Sequence, residues 1–169
     1  MAKSLIQKLQ DLEVITQGYF VLKSGEISDH YVDMRKAYGH PELLSEISNN
    51  LIEKIPSDAT CIACSGLGGI SLGTALSNKT NLSLTLVRDK PKDHGDLKII
   101  EGYHPTPDDK IIIVDDVFSS GTSVKRTMEN LAVSNLNVIK IIVILRRGIN
   151  TLSCELDSLF TEEDLNSKL

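Results

Sequence analysis

The sequence contains no long hydrophobic run and no excess of basic residues. No apolar stretch approaches the ~20 residues of a membrane-spanning helix, so we expect no contact with a membrane. The N-terminal segment carries no signal-peptide pattern, because Lys3, Lys8 and Asp11 interrupt it, and we therefore expect a cytoplasmic protein. The net charge of −5 argues against a general nucleic-acid binder, which is normally basic.

Residues that bind metals or form disulfides are also scarce. The three cysteines, Cys61, Cys64 and Cys154, are an odd number and form no disulfide framework. Cys61 and Cys64 have the C-x-x-C spacing of some metal and redox sites, but no second pair exists. Because this pair lies in an apolar run, we interpret both thiols as small buried hydrophobic groups. Three histidines share no metal-ligand spacing and are expected at the surface or in turns, namely His30, His40 and His104.

The chain is expected to form one domain over residues 1–169. Its length is ordinary for a domain with a substantial core, and it contains no internal repeat, linker or low-complexity segment. Apolar residues make up 41% and charged residues 24%, which is typical of soluble globular proteins. Within the domain we predict an N-terminal subdomain at 1–58, a core at 59–150 and a C-terminal tail at 151–169.

The pattern of apolar residues predicts an α/β fold, in which a mostly parallel sheet is flanked by helices. After residue 59, continuous apolar runs typical of buried strands alternate with helical patterns. Strands are predicted at 60–64, 82–87, 99–102, 111–114 and 138–145, with a glycine-rich turn at 65–69 and helices that begin near 70 and 121. Before this core we expect a helix at 4–15, a hairpin with strands at 19–25 and 31–35, and a helix at 40–55. The tail ends with a helix-start pattern at 161–164.

The segment 111–123 carries the most specific chemistry. A buried strand leads into Asp115 and Asp116, which therefore lie at its C-terminal end, where open α/β sheets bind ligands. The following segment Ser119–Ser123 offers hydroxyls, backbone N–H groups and a glycine just before a helix, which together form a nest for a phosphate. The two carboxylates suit sugar hydroxyls or a hard cation such as Mg²⁺. Phosphate, hydroxyl and metal sites within one loop indicate a phosphorylated sugar as the ligand.

The glycine-rich segment Ser65–Gly69 supports an alternative interpretation. It follows a predicted strand and imitates the dinucleotide-binding pattern G-x-G-x-x-G, with Asp89 about 20 residues further on, where a ribose-binding acid is expected. A Rossmann-type NAD oxidoreductase is therefore an alternative, although Ser71 replaces the third glycine. A Walker A site is excluded, because no Gly-Lys-Ser/Thr follows the strand at 111–114.

A charged segment begins at Arg88 and contains Lys90, Lys92 and His94. Long loops between strands often serve as lids or binding loops, and Gly95 and Gly102 offer hinge positions here. A solvated charged loop is the alternative.

The last predicted strand ends at Arg146 and Arg147. A cation at such a strand end can bind a carboxylate through two parallel hydrogen bonds. A surface ion pair is the alternative.

Together these segments resemble the orotate phosphoribosyltransferases, a family of type I phosphoribosyltransferases. The segment 111–123 resembles the family's motif for phosphoribosyl pyrophosphate (PRPP). The segment 18–25 matches the hairpin G-x-F-x-L-x-S-G, and 88–95 is similar to the lid Arg-Lys-x-x-Lys-x-His-Gly. The similarity extends from about Gly18 to Arg146. It implies the type I phosphoribosyltransferase fold, in which the N-terminal subdomain forms a hood over the PRPP-binding core.

The resemblance also implies a Mg²⁺-dependent reaction of pyrimidine (UMP) biosynthesis, in which orotate and PRPP give orotidine 5′-monophosphate and pyrophosphate. Catalytic roles fall on Lys23, Lys92 and Asp116. PRPP is expected to contact Arg88, Lys92, His94, Asp115, Asp116, Val117, Phe118, Ser119, Ser120, Gly121, Thr122 and Ser123. The pyrophosphate loop is Ser65, Gly66, Leu67, Gly68 and Gly69. Orotate is expected to contact Lys23, Tyr31, Ser119 and Arg146. No residue is assigned as a direct metal ligand, since Mg²⁺ is carried mainly by PRPP, with Asp115 or Asp116 acting through water.

The family resemblance further implies a homodimer, in which the lid at 88–102 covers the neighbouring subunit's site. Two positions depart from the family pattern. Asp89 stands where a basic residue usually follows the lid arginine, and Ser65–Gly69 lacks the lysine of many bacterial members. Both departures reduce the positive charge around pyrophosphate. They leave open a PRPP-binding regulator without catalysis and a phosphoribosyltransferase for another base.

Overall fold

The computed structural model describes residues 3–21, 25, 27–90 and 99–166. The N-terminal part consists of α1 (Leu5–Asp11), β1 (Ile15–Val21), β2 (Ile27–Val32), α2 (Met34–Tyr38) and α3 (Pro41–Ile52). The core follows with β3 (Cys61–Cys64), α4 (Gly66–Thr80), β4 (Ser83–Val87), β5 (Ile100–Gly102), β6 (Lys110–Phe118), α5 (Thr122–Ala132), β7 (Asn137–Arg146), β8 (Leu156–Thr161) and α6 (Glu162–Asn166). No described helix is long and apolar enough to cross a membrane.

The core strands form one six-stranded sheet in the order β5-β4-β3-β6-β7-β8. Every neighbouring pair is parallel except β4 and β5, which are antiparallel. The predicted α/β fold with a mostly parallel sheet is therefore confirmed. The short antiparallel β5 does not fit the Rossmann alternative, because each half of a dinucleotide-binding sheet is built from three parallel strands joined by helices.

The central strands are buried on both faces, as their continuous apolar runs predict. On one face, Ile112 and Val114 of β6 pack in a cluster with residues of α1, α3 and α4. On the other face, Ile111 and Ile113 pack with Val124 of α5. Helices on both sides of the sheet keep these side chains from water, and that burial is the main stabilising contribution to such a core.

Both thiols of the C-x-x-C pair are fully buried in β3, which confirms that they are packing residues. The Cys61 sulfur lies 3.1 Å from the Thr85 hydroxyl. Burial raises the pKa of the Cys64 thiol to about 12, so this thiol stays protonated and unreactive at neutral pH.

The N-terminal subdomain differs from the prediction at several boundaries. The first helix ends at Asp11 instead of continuing to residue 15, and β1 begins at Ile15 after Glu13 adopts a left-handed backbone conformation (φ 52°). The strand predicted at 31–35 ends at Val32, because the Asp33 carboxylate accepts a hydrogen bond from the Arg35 N–H and caps α2. The third helix ends at Ile52, three residues before the predicted end.

Three further expectations are corrected. The glycine-rich segment is the first turn of α4, which begins at Gly66, and not a separate turn before the helix. The tail contributes a sixth strand, β8, which pairs in parallel with β7. His30, on β2 of the N-terminal part, is fully buried and not at the surface.

Candidate functional site

Two segments meet where the chain crosses from one half of the sheet to the other. The strand β3 leads into the start of α4, and the neighbouring strand β6 leads into α5. In open α/β sheets, the crevice outside two such strand ends is the preferred ligand site. The contact is tight, because a Cβ atom at Gly68 would overlap the Asp116 carboxylate and one at Gly69 would lie 3.0 Å from the Val114 carbonyl oxygen. Glycine at these two positions lets α4 approach the acid pair.

Asp115 is the buried member of the acid pair, with 8% of its surface exposed. Its carboxylate accepts hydrogen bonds from the Ser123 hydroxyl at 2.7 Å and from the Asp116 N–H at 2.9 Å. Burial, and then the negative charge of Asp116, raise the pKa of Asp115 to about 7. Asp115 thus ties the end of β6 to the first turn of α5.

Asp116 faces an open cleft of about 370 Å³. One of its carboxylate oxygens accepts a hydrogen bond from the Val117 N–H at 2.8 Å, which orients the side chain. The cleft is lined by Val32, Asp33, Met34, Arg35, Leu67, Gly68, Asp116 and Val117. It therefore brings together the end of β2, the start of α2, the start of α4 and the acid pair.

The loop after β6 has the form expected of a phosphate site. Gly121 has a left-handed backbone (φ 72°) and caps α5, and its missing side chain leaves room for the Phe118 ring. Ser119 and Ser120 are exposed, and the Ser120 and Thr122 hydroxyls lie 2.9 Å apart. Exposed hydroxyls and N–H groups at the start of an 11-residue helix suit a dianion.

Phe118 was predicted among the PRPP-binding residues, but its side chain is fully buried in the core. Its carbonyl oxygen accepts a hydrogen bond from the Arg147 N–H at 2.8 Å. The Phe118 side chain therefore packs beneath Gly121 of the loop and is not exposed, whereas its backbone belongs to the loop.

The predicted lid is described only at its two ends. Arg88 pairs with Glu101 at 2.9 Å, and Asp89 lies 3.4 Å from Arg126 of α5. The negative charge of Asp89 is therefore partly offset by Arg126. Three of the predicted site residues lie outside the described residues, namely Lys23, Lys92 and His94.

The remaining predicted residues occupy the same end of the sheet or the hairpin. Leu67 is exposed beside the cleft, and the buried Ser65 hydroxyl lies 2.9 Å from the Thr127 hydroxyl. Tyr31 is exposed on β2, with its ring centre 5.6 Å from that of Phe20. Arg146 ends β7 and forms no ion pair with any residue that the structure describes. It is therefore available for an anionic ligand.

Arg147 is the residue whose role the sequence did not reveal. Its guanidinium donates to both Glu162 oxygens, at 2.7 and 2.8 Å, and to the Ser28 hydroxyl at 2.6 Å. The buried His30 ring lies with Nδ1 2.6 Å from Asp29, and its Nε2 is 3.0 Å from Glu162 without the geometry of a hydrogen bond. This set of residues, the Arg147 cluster, joins the hairpin to β7 and α6. The adjacent Arg146 and Arg147 are visible in the sequence, but the residues that Arg147 contacts are distant from it in the chain.

The short helix α2 was also missed, and it forms one wall of the cleft. It carries Arg35 at the cleft and Tyr38 three residues later. Burial, and then the negative charges of Asp116, Asp115 and Asp33, raise the pKa of the Tyr38 hydroxyl well above its usual range. The cleft lining shows that α2 begins beside Asp116.

The pKa of Asp115 predicts how stability depends on pH. Its folded value of about 7 lies above its ordinary 3.8, so between these values the folded protein binds the proton more tightly than the unfolded chain. The free energy of unfolding should therefore fall as pH rises through this interval and stay level above it. At about 1.4 kcal/mol per pKa unit, the loss amounts to a few kcal/mol.

Asp115→Asn should remove this dependence, because asparagine is neutral throughout the range. Urea denaturation of both proteins at pH 5 and pH 8, without divalent cations or phosphate, measures the difference between them. The variant should gain stability relative to the wild type at pH 8. If the free energy of unfolding changed equally with pH in the two proteins, Asp115 would already be ionised at pH 5.

Comparison with known proteins agrees with this geometry. Residues 37–155 match the phosphoribosyl transferase domain. The orotate phosphoribosyltransferase of Methanococcus maripaludis is 34% identical over 87% of this chain and 80% of its own, and that of Pyrococcus horikoshii is 35% identical over the same shares. The crystal structure of orotate phosphoribosyltransferase from Aeropyrum pernix superimposes with a TM-score of 0.86 at 28% identity, covering 98% of this chain and 97% of its own. The chain belongs to the orotate phosphoribosyltransferase family.

Proposed function

We propose that the protein transfers the 5-phosphoribosyl group of PRPP to orotate, giving orotidine 5′-monophosphate and pyrophosphate for pyrimidine synthesis. The observation that carries this proposal is the position of Asp116 at the cleft, three residues before the loop Ser119–Ser123 at the start of α5. A sugar phosphate bound there would have its hydroxyls at a carboxylate and its phosphate at the start of α5. The archaeal relatives carry the same activity in their names.

The reaction requires positioning more than covalent chemistry from the protein. A ring nitrogen of orotate forms a bond to C1 of the ribose and loses its proton. The bond from C1 to the diphosphate oxygen breaks, and its electron pair leaves with pyrophosphate. Positive charge develops on the ribose and negative charge on the leaving group, so oriented charges lower the barrier.

Each part of the cleft has a role in this proposal. Asp116 binds the ribose hydroxyls, and the loop Ser119–Ser123 holds the 5′-phosphate. Arg146, whose guanidinium has no ion-pair partner among the described residues, binds the orotate carboxylate. Lys23 and Lys92 would act at the reacting groups as in the family resemblance. The lid would exclude water, which would otherwise hydrolyse PRPP.

We also propose Mg²⁺ as the cofactor. The described residues contain no cluster of three or more His, Cys, Asp or Glu that would hold a metal ion by themselves. Both Asp115 oxygens already accept hydrogen bonds, whereas Asp116 faces the cleft. This donor set fits a Mg²⁺ carried by the diphosphate of PRPP with Asp116 beside it, since Mg²⁺ commonly combines few carboxylates with substrate phosphates. When bound, the ion would neutralise the leaving diphosphate.

A spectrophotometric assay tests the function and separates the alternatives. Orotate should be consumed only when PRPP and Mg²⁺ are both present, and uracil and adenine should not replace it. Binding of PRPP without consumption of any base would favour a regulator. Ribosylation of another base would change the substrate but keep the reaction.

We propose the cytoplasm as the location, because free thiols such as Cys61, Cys64 and Cys154 fit a reducing compartment.

The lid is proposed to act across a homodimer. If Lys92 serves the partner's site, Lys92→Ala and Asp116→Asn subunits should complement each other when unfolded and refolded together. Random mixing makes half of the dimers mixed, and each mixed dimer has one site with both native residues. About a quarter of all sites should therefore recover, by the counting that two-fold symmetry imposes. No recovery, with mixing confirmed by mass, would assign Lys92 to its own subunit's site.

A further inference from the structure

The wall of the cleft opposite α4 is built by α2, and packing fixes which of its residues face the cleft. Met34 and Ala37 are buried in the core. The helix packs against both α3 and α4. Met34 also lines the cleft, but its buried side chain is apolar, so Arg35 is the residue of α2 that brings a charge there, with Gly68 and Asp116.

The Arg35 guanidinium is oriented before any ligand arrives. Asp33 accepts a hydrogen bond from Nε at 2.7 Å and another from Nη2 at 3.0 Å. This two-point contact holds the plane of the group, and its other terminal nitrogen, Nη1, donates to no residue that the structure describes. The side chain is 56% exposed and lines the cleft.

The side chains that line the cleft carry more negative than positive charge, which is unfavourable for a polyphosphate ligand. Asp33 and Asp116 are acids, and Arg35 is the one Lys or Arg among the lining residues. The start of α4 brings no lysine, since Leu67 and Gly68 form this part of the wall. A diphosphate entering the cleft would therefore meet Arg35 as the cation among its described walls.

We propose that Arg35 is a diphosphate-binding residue of PRPP, contacting the diphosphate from α2 across the cleft from Gly68. This inference rests on the proposed function and adds a residue to it. Arg35 takes over the role of the positive charge that is missing from Ser65–Gly69. A guanidinium suits this role because its rigid array of donors can bind Asp33 on one side and a phosphate oxygen on another.

The test compares Arg35→Gln with Lys36→Gln, which removes a neighbouring charge outside the cleft. Lys36 donates to the Glu13 carbonyl at 3.0 Å and is 48% exposed. Lys36→Gln changes the net charge by the same amount as Arg35→Gln. Calorimetry with pyrophosphate and with PRPP, in the presence of Mg²⁺, measures the binding. Arg35→Gln should weaken both by on the order of 10-fold, as expected for one charge-assisted hydrogen bond, and should reduce the salt dependence of binding. Lys36→Gln should leave both unchanged.

Steady-state kinetics separates the diphosphate from the other anion in the reaction. The KM for PRPP should rise in Arg35→Gln while the KM for orotate stays the same. Arg35→Lys keeps the charge but loses the two-point contact with Asp33. Its KM for PRPP should therefore lie between the values of the wild type and of Arg35→Gln. Thermal unfolding of each variant checks that the fold is intact, and Arg35→Lys carries the test if the glutamine variant does not fold.

Three outcomes would overturn the proposal, and they differ in what else they affect. Unchanged pyrophosphate affinity in Arg35→Gln, with wild-type binding intact, would remove Arg35 from the diphosphate site. A rise in the KM for orotate alone would assign Arg35 to the orotate carboxylate instead. Wild-type protein that binds neither PRPP nor pyrophosphate would overturn the proposed function itself.

Discussion

Asp116→Asn is expected to lower kcat/KM for PRPP and orotate by on the order of 10²-fold, which corresponds to ~2.7 kcal/mol of transition-state stabilisation. The carboxylate faces the cleft and is oriented by the Val117 N–H at 2.8 Å. Asparagine keeps the same shape and the same acceptor for this N–H. It removes the negative charge that would bind the ribose hydroxyls while positive charge develops on the sugar.

The measurement is steady-state kinetics with both substrates varied, together with urea denaturation. Asp108→Asn is the matched control, because Asp108 is an exposed carboxylate outside the cleft. This control should keep wild-type kinetics, and both variants should unfold close to the wild-type midpoint, since Asp116 is not buried. Wild-type kinetics in Asp116→Asn would place the sugar elsewhere.

Arg147→Met is expected to lower the free energy of unfolding by about 3 kcal/mol, the low end for breaking a buried ion pair. The Arg147 side chain is 9% exposed and donates to both oxygens of Glu162. Methionine fills similar space but leaves Glu162 without this partner beside the His30 ring. The Ser28 hydroxyl loses a donor as well, so the hairpin is less firmly held against β7 and α6.

Urea denaturation of single and double variants tests this explanation. Adding Glu162→Gln to Arg147→Met should recover part of the loss, because the unpaired negative charge is then gone. Lys110→Met is the control, since its pair with Asp58 is exposed and should contribute less than about 1 kcal/mol. Equal losses of unfolding free energy in Arg147→Met and Lys110→Met would mean that burial of the Arg147 cluster adds nothing to stability.

The Arg147 cluster also connects stability with the proposed site. Tyr31 follows the buried His30 on β2, and Arg146 precedes Arg147 at the end of β7. Both residues are predicted to contact orotate. By holding β2 and β7 together, the cluster fixes the distance between the two sides of the proposed orotate site.

The sequence alone determined the centre of the fold and of the site. The run at 111–114 is apolar without alternation, which occurs where both faces of a strand are covered, and β6 is buried in this way. The residues after it, from Asp115 to Ser123, are consecutive, so one strand end brings acids and phosphate loop together. Local order along the chain was sufficient here, because each inference depended on neighbours a few residues apart.

Only the tertiary structure decided which distant residues complete the site. α2 is five residues long, too short for a periodic signal, and packing against α3 and α4 rather than propensity makes it a helix. The same holds for β8, whose residues are only partly buried at the sheet edge and show no strand pattern. Arg147 and Glu162 meet because β8 returns α6 to the end of β7, and Ser28 joins them from 119 residues away. Such contacts depend on how the elements pack in three dimensions, and no local pattern of charge or hydrophobicity encodes them.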